Sequence, residues 1–235
     1  VQCRFCASGQ GGFVRNLTTG EMLTQYLLLA EAMASYPSNV VVMGSGEPLL
    51  NYEAVLAFLS MLNAKSLGNL GARRITVSTI GIPDGIRRLA EEGVQFELAF
   101  SLHSPYQKQR AGLIPMARSY HLNSILDALS YFSKRTSRRV SFEYCLLKDE
   151  NDSEACAKET ARLAKRLRAK VNLIPFNGTG GRFSPPDSRQ VHRFRETLAK
   201  RGVNVTVRKQ RGADIEASCG QLVTHYHRTD SAPKH

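Results

Sequence analysis

The sequence predicts an α/β fold of parallel strands with right-handed crossovers, a barrel or an open sheet, on three observations. Short β-branched runs alternate with segments of helical apolar spacing along the chain. Unusual residues cluster just after the strand-like runs, where parallel α/β folds assemble their active sites. No linker divides the 235 residues, a length that one large barrel domain accommodates.

The strand-like runs are 39–43, 75–78, 96–102, 140–147, 171–175 and 203–207. The first helix is expected over 18–36, with Met22, Leu23, Tyr26, Leu27, Ala30 and Met33 on one face and a capping-box signature from Thr18 and Glu21. Further helices are expected at 52–65, 83–92, 123–134, 153–168 and 187–201; Pro83 suits a first turn, and Gly93 and Gly202 sit where helices stop. The Gly, Ser and Pro of 177–186 read as an inserted loop, and 228–235 as a polar tail beyond a barrel spanning 1–227. The post-strand clusters are Gly44-Ser45-Gly46-Glu47-Pro48, Ser78-Thr79, Ser101-Leu102-His103-Ser104-Pro105 and Pro175-Phe176-Asn177, and they select the barrel over a generic sheet.

Hydrophobic residues make up 42% and charged residues 22%, as in an ordinary globular protein. No apolar run approaches the roughly 18 residues of a membrane span, so no membrane partner is expected. Lys plus Arg outnumber Asp plus Glu by 32 to 20, a formal charge of +12 that favours a polyanion such as RNA or DNA. Five cysteines at uneven spacing do not form a secreted disulfide framework, which points to the cytoplasm. The chain opens at Val1, directly before a cysteine motif, and reads as a piece of something longer.

That motif is Cys3-Arg4-Phe5-Cys6. Alone it fits half a zinc site or a redox pair, but no second Cys or His pair follows at zinc-finger spacing. The run Cys-Arg-Phe-Cys-Ala-Ser-Gly precedes a long amphipathic helix, and Gly46-Glu47-Pro48 follows one strand later. This combination resembles the radical S-adenosylmethionine (SAM) superfamily, nearest to the RNA adenine methyltransferase branch represented by RlmN and Cfr. The resemblance runs through 12–17, 44–49, 74–81, 99–105, 142–144, 151–152, 172–177 and 208–222, the last block being the most specific.

The resemblance implies a partial (β/α)6 TIM-type barrel whose first strand and first cluster ligand lie upstream of the chain. Cys3 and Cys6 would be the second and third ligands of a [4Fe-4S] cluster, with an open iron for the SAM amino and carboxylate groups. Gly46 and Glu47 would receive the SAM ammonium; Ser78, Ser101, Leu102, His103 and Asn177 match further SAM contacts. Without the cysteine motif, Glu47 and Asn177 read as turn residues and His103 as a structural hydrogen-bonding residue. Cys219 would be methylated by one SAM, and a 5′-deoxyadenosyl radical from a second would abstract hydrogen from that methyl group before carbon–carbon bond formation to adenine. The resemblance also implies a disulfide bond, a second cysteine and a base, the last two upstream of the motif. Cys145 and Cys156 read as buried small hydrophobes.

Arg15, Arg73, Arg74, Arg118, Arg208, Lys209 and Arg211 are candidates for phosphate contacts at the barrel mouth, whereas Lys165, Arg166 and Arg168 decorate a helix face. The expected activity is methylation of adenine C2 in 23S rRNA, with tRNA as a second candidate substrate and an electron-donor protein as partner; Arg211-Gly212 and Asp214-Ile215 favour C2. The rivals are C8 methylation and a basic RNA-binding domain without catalysis. The chain is expected to act as a monomer.

Overall fold

The computed structural model describes residues 1–9, 12–178 and 182–208. Cys219, Lys209, Arg211, Gly212, Asp214-Ile215 and the 228–235 tail lie outside them.

Six parallel strands form one sheet, each paired with the next in sequence: β1 (Val40–Val42), β2 (Ile75–Thr79), β3 (Glu97–Ser101), β4 (Val140–Leu146), β5 (Lys170–Pro175) and β6 (Val205–Val207). The helices are α1 (Thr19–Ala32), α2 (Tyr52–Asn63), α3 (Pro83–Glu91), α4 (Gln107–Leu113), α5 (Leu122–Thr136), α6 (Glu154–Leu167) and α7 (Ser188–Lys200). Sequential pairing with a helix between neighbours is the partial (β/α)6 barrel expected from the sequence. Among the described residues β1 and β6 do not pair, but the Arg208 guanidinium reaches the Met43 Sδ at 3.8 Å and draws their outgoing ends together. No described helix is long and apolar enough to cross a membrane.

Alternation along the strands divides the sheet into two chemically different faces. Val77, Leu98, Phe100, Phe142, Tyr144, Val171 and Leu173 pack outward against Ile86, Leu89, Ile125, Leu129, Phe132, Ala161 and Leu198. Each large side chain buried there stabilises the fold by about 1.5–3 kcal/mol. The other parity is polar, and one level of it runs Ser101, Glu143, Asn172, Thr206 in register across β3 to β6. Thr206 donates to Asn172 Oδ1 at 3.0 Å, and Asn172 Nδ2 donates to Glu143 at 2.7 Å. The lumen is therefore lined by hydrogen-bonding groups.

Local chemistry explains the helix boundaries. Thr18 and Glu21 form the expected capping box, the Thr18 N–H donating to the Glu21 carboxylate at 2.8 Å. Gly93 and Gly202 follow α3 and α7 with φ of 70° and 74°, the left-handed stop that glycine tolerates. Gly81 has φ of 100°, and a Cβ there would lie 2.7 Å from Ile125 Cγ2 and 2.9 Å from Phe100 Cε2. Only glycine lets the chain turn from β2 into α3 so close to α5.

Three expectations need correction. On α1, Tyr26 and Ala30 are buried, but Leu27 and Met33 are 47% and 59% exposed, because the helix turns only part of its apolar stripe onto the core. Arg73 and Arg74 form a 3-10 turn immediately before β2, so they lie at the entry end of the strands, opposite the barrel mouth. Helix α4 was not expected; it is a short polar stretch whose one charged residue turned fully inward, Arg110, breaks the amphipathic pattern.

Candidate active site

The sequence-predicted groups collect at the outgoing ends of the strands. Gly46 and Glu47 follow β1, Ser78 lies one residue before the end of β2, Ser101 ends β3 with Leu102 and His103 just after it, and Asn177 follows β5. The cysteine loop joins them through two contacts: the Arg4 N–H donates to the Leu113 carbonyl at the end of α4 at 3.0 Å, and the Phe5 ring meets the His103 ring edge-on, centroids 4.9 Å apart. Within the loop the Cys6 N–H donates to the Cys3 carbonyl at 3.1 Å, a single turn that carries both thiols.

Gly44, Ser45 and Gly46 have φ of 117°, 46° and 135°, three consecutive residues in the left-handed region. Such a backbone frees its peptide groups from the sheet, and Ser45 carries the strain that non-glycine residues meet there. The Glu47 carboxylate is buried and spent on the backbone. One oxygen accepts from Leu49 N at 3.0 Å and the other from Ile80 N at 2.7 Å, and burial still pushes its pKa up. The side chain thus fastens the post-β1 loop to the end of β2.

His103 also has positive φ, 52°, and its buried ring accepts the Cys145 N–H at Nδ1, 2.8 Å away. That bond puts the ring proton of the neutral form on Nε2. Burial, with the nearby Arg110 charge, lowers its pKa to about 3. The backbone at His103 is held by Asn151, which is fully buried. Its Nδ2 donates to the carbonyls of His103 and Cys145 at 2.6 and 2.7 Å, its Oδ1 accepts Leu147 N at 2.8 Å, and its own carbonyl accepts the Tyr144 hydroxyl at 2.8 Å. Leu102 is buried in the core, its N–H donating to the Glu143 carbonyl at 3.0 Å and its carbonyl accepting from Arg110 Nε.

Arg110 is the residue that sequence reasoning missed. It is fully buried; Nε donates to the Leu102 carbonyl at 3.1 Å, and Nη2 to the carbonyls of Ile80 and of Ser101. The guanidinium sits 5.0 Å from the centre of the Phe100 ring and so clamps the ends of β2 and β3. Burial lowers its pKa to about 10, while Cys3 and Glu47 act to raise it.

Cys3 and Cys6 are half-buried, and burial pushes the Cys3 thiol up to about 12, the neighbouring Cys6 adding to the rise. Two soft thiol donors in one turn fit two corners of an iron–sulfur cluster. Among the described residues no group of three potential metal donors forms, so a third corner is not supplied there. The disulfide implied by the resemblance is not found: the described residues contain none. Of the phosphate candidates at this end, Arg15 is engaged by Glu21 at 2.6 Å, whereas Arg118 and Arg208 expose their side chains; Lys165, Arg166 and Arg168 lie on the exposed face of α6 and its end, as expected.

Residues 1–171 match the Radical SAM superfamily model. With an open six-stranded parallel barrel and a cysteine loop over its mouth, the chain belongs to that superfamily. Within it the chain is 46% identical over 222 residues to a protein of Thermotoga petrophila and 44% identical over 228 residues to one of Caldicellulosiruptor saccharolyticus, both named probable dual-specificity RNA methyltransferase RlmN. These matches cover 94% and 97% of this chain and 65% and 66% of those proteins, so the chain spans about two thirds of their length. The crystal structure of a radical SAM methyltransferase from Sphaerobacter thermophilus superposes with a TM-score of 0.90 at 44% identity, over 94% of this chain and 66% of that one. Streptococcus suis SuiB bound to S-adenosylmethionine shares the fold, with a TM-score of 0.61 at 13% identity, over 89% of this chain and 48% of that one.

Proposed function

We propose that this chain is the catalytic barrel of an RNA methyltransferase that places a methyl group on adenine C2 in 23S rRNA, with tRNA adenine as a second substrate. The observation that carries the reading is the docking of the Cys3–Cys6 turn onto His103 and α4 at the mouth of a polar lumen. The similarity to proteins named RlmN supports the RNA substrate, and a charge of +12 suits it.

In this reading Cys3 and Cys6 hold two corners of a [4Fe-4S] cluster. When bound, the cluster supplies a single electron and SAM supplies the methyl group. The chain's own residues bind and orient. The carbonyls of 44–46 receive the SAM ammonium, and Ser78 and Ser101 offer hydroxyls to its polar groups. Neutral His103 offers its Nε2–H, which adds no charge to a site meeting a sulfonium. Asn177 is the further SAM contact. Cys219 is the methyl acceptor, a role that rests on its sequence context. Arg118 and Arg208 contact phosphates while the target adenine turns out of its helix.

Two measurements test this. Anaerobic reconstitution of the full-length protein is expected to give about four irons per chain and a reducible cluster signal, lost on Cys3→Ala plus Cys6→Ala; no cluster would sink the enzyme reading. Nucleoside mass spectrometry of treated rRNA is expected to show 2-methyladenosine that disappears with Cys219→Ala, and 8-methyladenosine alone would reject the C2 assignment.

A further inference from the structure

Arg110 has more donors than its clamp uses. Nε and Nη2 are committed to the carbonyls of Leu102, Ile80 and Ser101, but Nη1 is buried and has no hydrogen-bond partner among the described residues. A buried guanidinium nitrogen left unpaired is costly, so such a group commonly marks an anion that belongs there. The surroundings say where that anion sits. Arg110 lies one turn before Leu113, whose carbonyl anchors the cysteine loop at Arg4, beside Cys3, and the Cys3 sulfur is near enough to act on the guanidinium. Glu47 does not use Nη1: its two oxygens are taken by Leu49 and Ile80 backbone N–H groups.

We infer that Arg110 is the buried cation of the cluster site, with Nη1 directed at the sulfur edge held by Cys3, and that it raises the cluster's affinity for an electron. The inference rests on the cluster reading above. A thiolate-ligated cluster gains one negative charge on reduction, so a fixed cation beside it favours the reduced form, and hydrogen bonds to its sulfurs act in the same direction. The three carbonyl bonds keep the cation from swinging toward solvent. Nothing in the sequence announces it, because Arg110 sits in the polar run Gln107-Lys108-Gln109-Arg110.

The test is a dye-mediated redox titration of the cluster-loaded, full-length protein, followed by EPR with neither SAM nor RNA present. A unit charge on the order of 10 Å away at an effective dielectric of about 20 changes the reduced-to-oxidised ratio roughly tenfold. Arg110→Met is therefore expected to lower that ratio about tenfold at fixed potential, a shift of about 59 mV to more negative values. Arg110→Lys, which keeps the charge, is expected to stay within about threefold of the parent. A Met variant with full iron content and an unmoved potential overturns the inference, as does a Lys variant that shifts as far as Met. Should Arg110→Met not fold, guanidino-15N arginine in an Arg4→Lys background gives a second reading. Pulsed EPR of the reduced cluster is then expected to show a 15N coupling, and its absence overturns the inference. A parent protein that binds no cluster fails the earlier reading instead.

Discussion

Removal of the Asn151 side chain probes the framework behind His103. In Asn151→Ala, three buried groups lose their partners at once: the carbonyls of His103 and Cys145 and the N–H of Leu147, now bonded at 2.6, 2.7 and 2.8 Å. Each orphaned group costs about 1–3 kcal/mol, so the loss is about 3–9 kcal/mol, against a total stability of about 5–15 kcal/mol for a typical domain. Urea unfolding followed by circular dichroism should show the midpoint falling with an unchanged slope. Asn151→Asp keeps the shape but turns an acceptor toward two carbonyls, so it should be as harmful at pH 7 and milder once protonated. The loss should extend to SAM affinity, because His103 and Cys145 are held together by this side chain. A loss below about 1 kcal/mol in Asn151→Ala would refute the view that Asn151 holds the β3 and β4 ends.

Other outcomes follow from the same geometry. Because folding lowers the His103 pKa from 6.5 to about 3, the unfolded chain binds the extra proton in that window; its contribution to stability is intact above 6.5 and falls by about 5 kcal/mol toward pH 3. A pH series of urea midpoints on the parent and a His103→Gln variant checks this, and parallel curves would contradict it. Gly81→Ala should destabilise by about 2 kcal/mol or more, since its Cβ would sit 2.7 Å from Ile125 at a φ of 100°. Ile125→Val in the same chain should recover part of that loss in thermal melts. Glu47→Gln should cost about 1–3 kcal/mol, because an amide cannot accept at both positions and one buried N–H is left unpaired; equal urea midpoints for variant and parent would disprove the fastening role.

The six strands and their helices were legible because each feature rests on local signals: β-branched runs, a capping box at Thr18 and Glu21, and glycine stops at 93 and 202. The gathering of the candidate residues at one end of the sheet was legible for the same reason, since they follow the strands of a parallel fold. Direction was harder. Arg73 and Arg74 looked like phosphate ligands, yet adjacency to a strand does not say which end they occupy until the strand's start is fixed. The part played by Glu47 was half read: its position is as expected, but its carboxylate faces two backbone N–H groups, which only the tertiary approach of Ile80 reveals. Arg110 was invisible because its partners are backbone carbonyls, which carry no residue signature. Leu27 and Met33 show the converse: an apolar stripe gives the number of candidates for burial without saying how many the neighbours cover.

Ile80 is gripped on both sides, the N–H of the peptide before it by the Glu47 carboxylate and the C=O of the peptide after it by the Arg110 guanidinium. An N–H can meet only an acceptor and a C=O only a donor, so the acid and the base cannot trade places. An exchange of Glu47 and Arg110 would keep the net charge and set a carboxylate against a carbonyl and a guanidinium against an N–H. Drift at these two positions is therefore handed: paired neutral replacement is an open route, and charge reversal is closed.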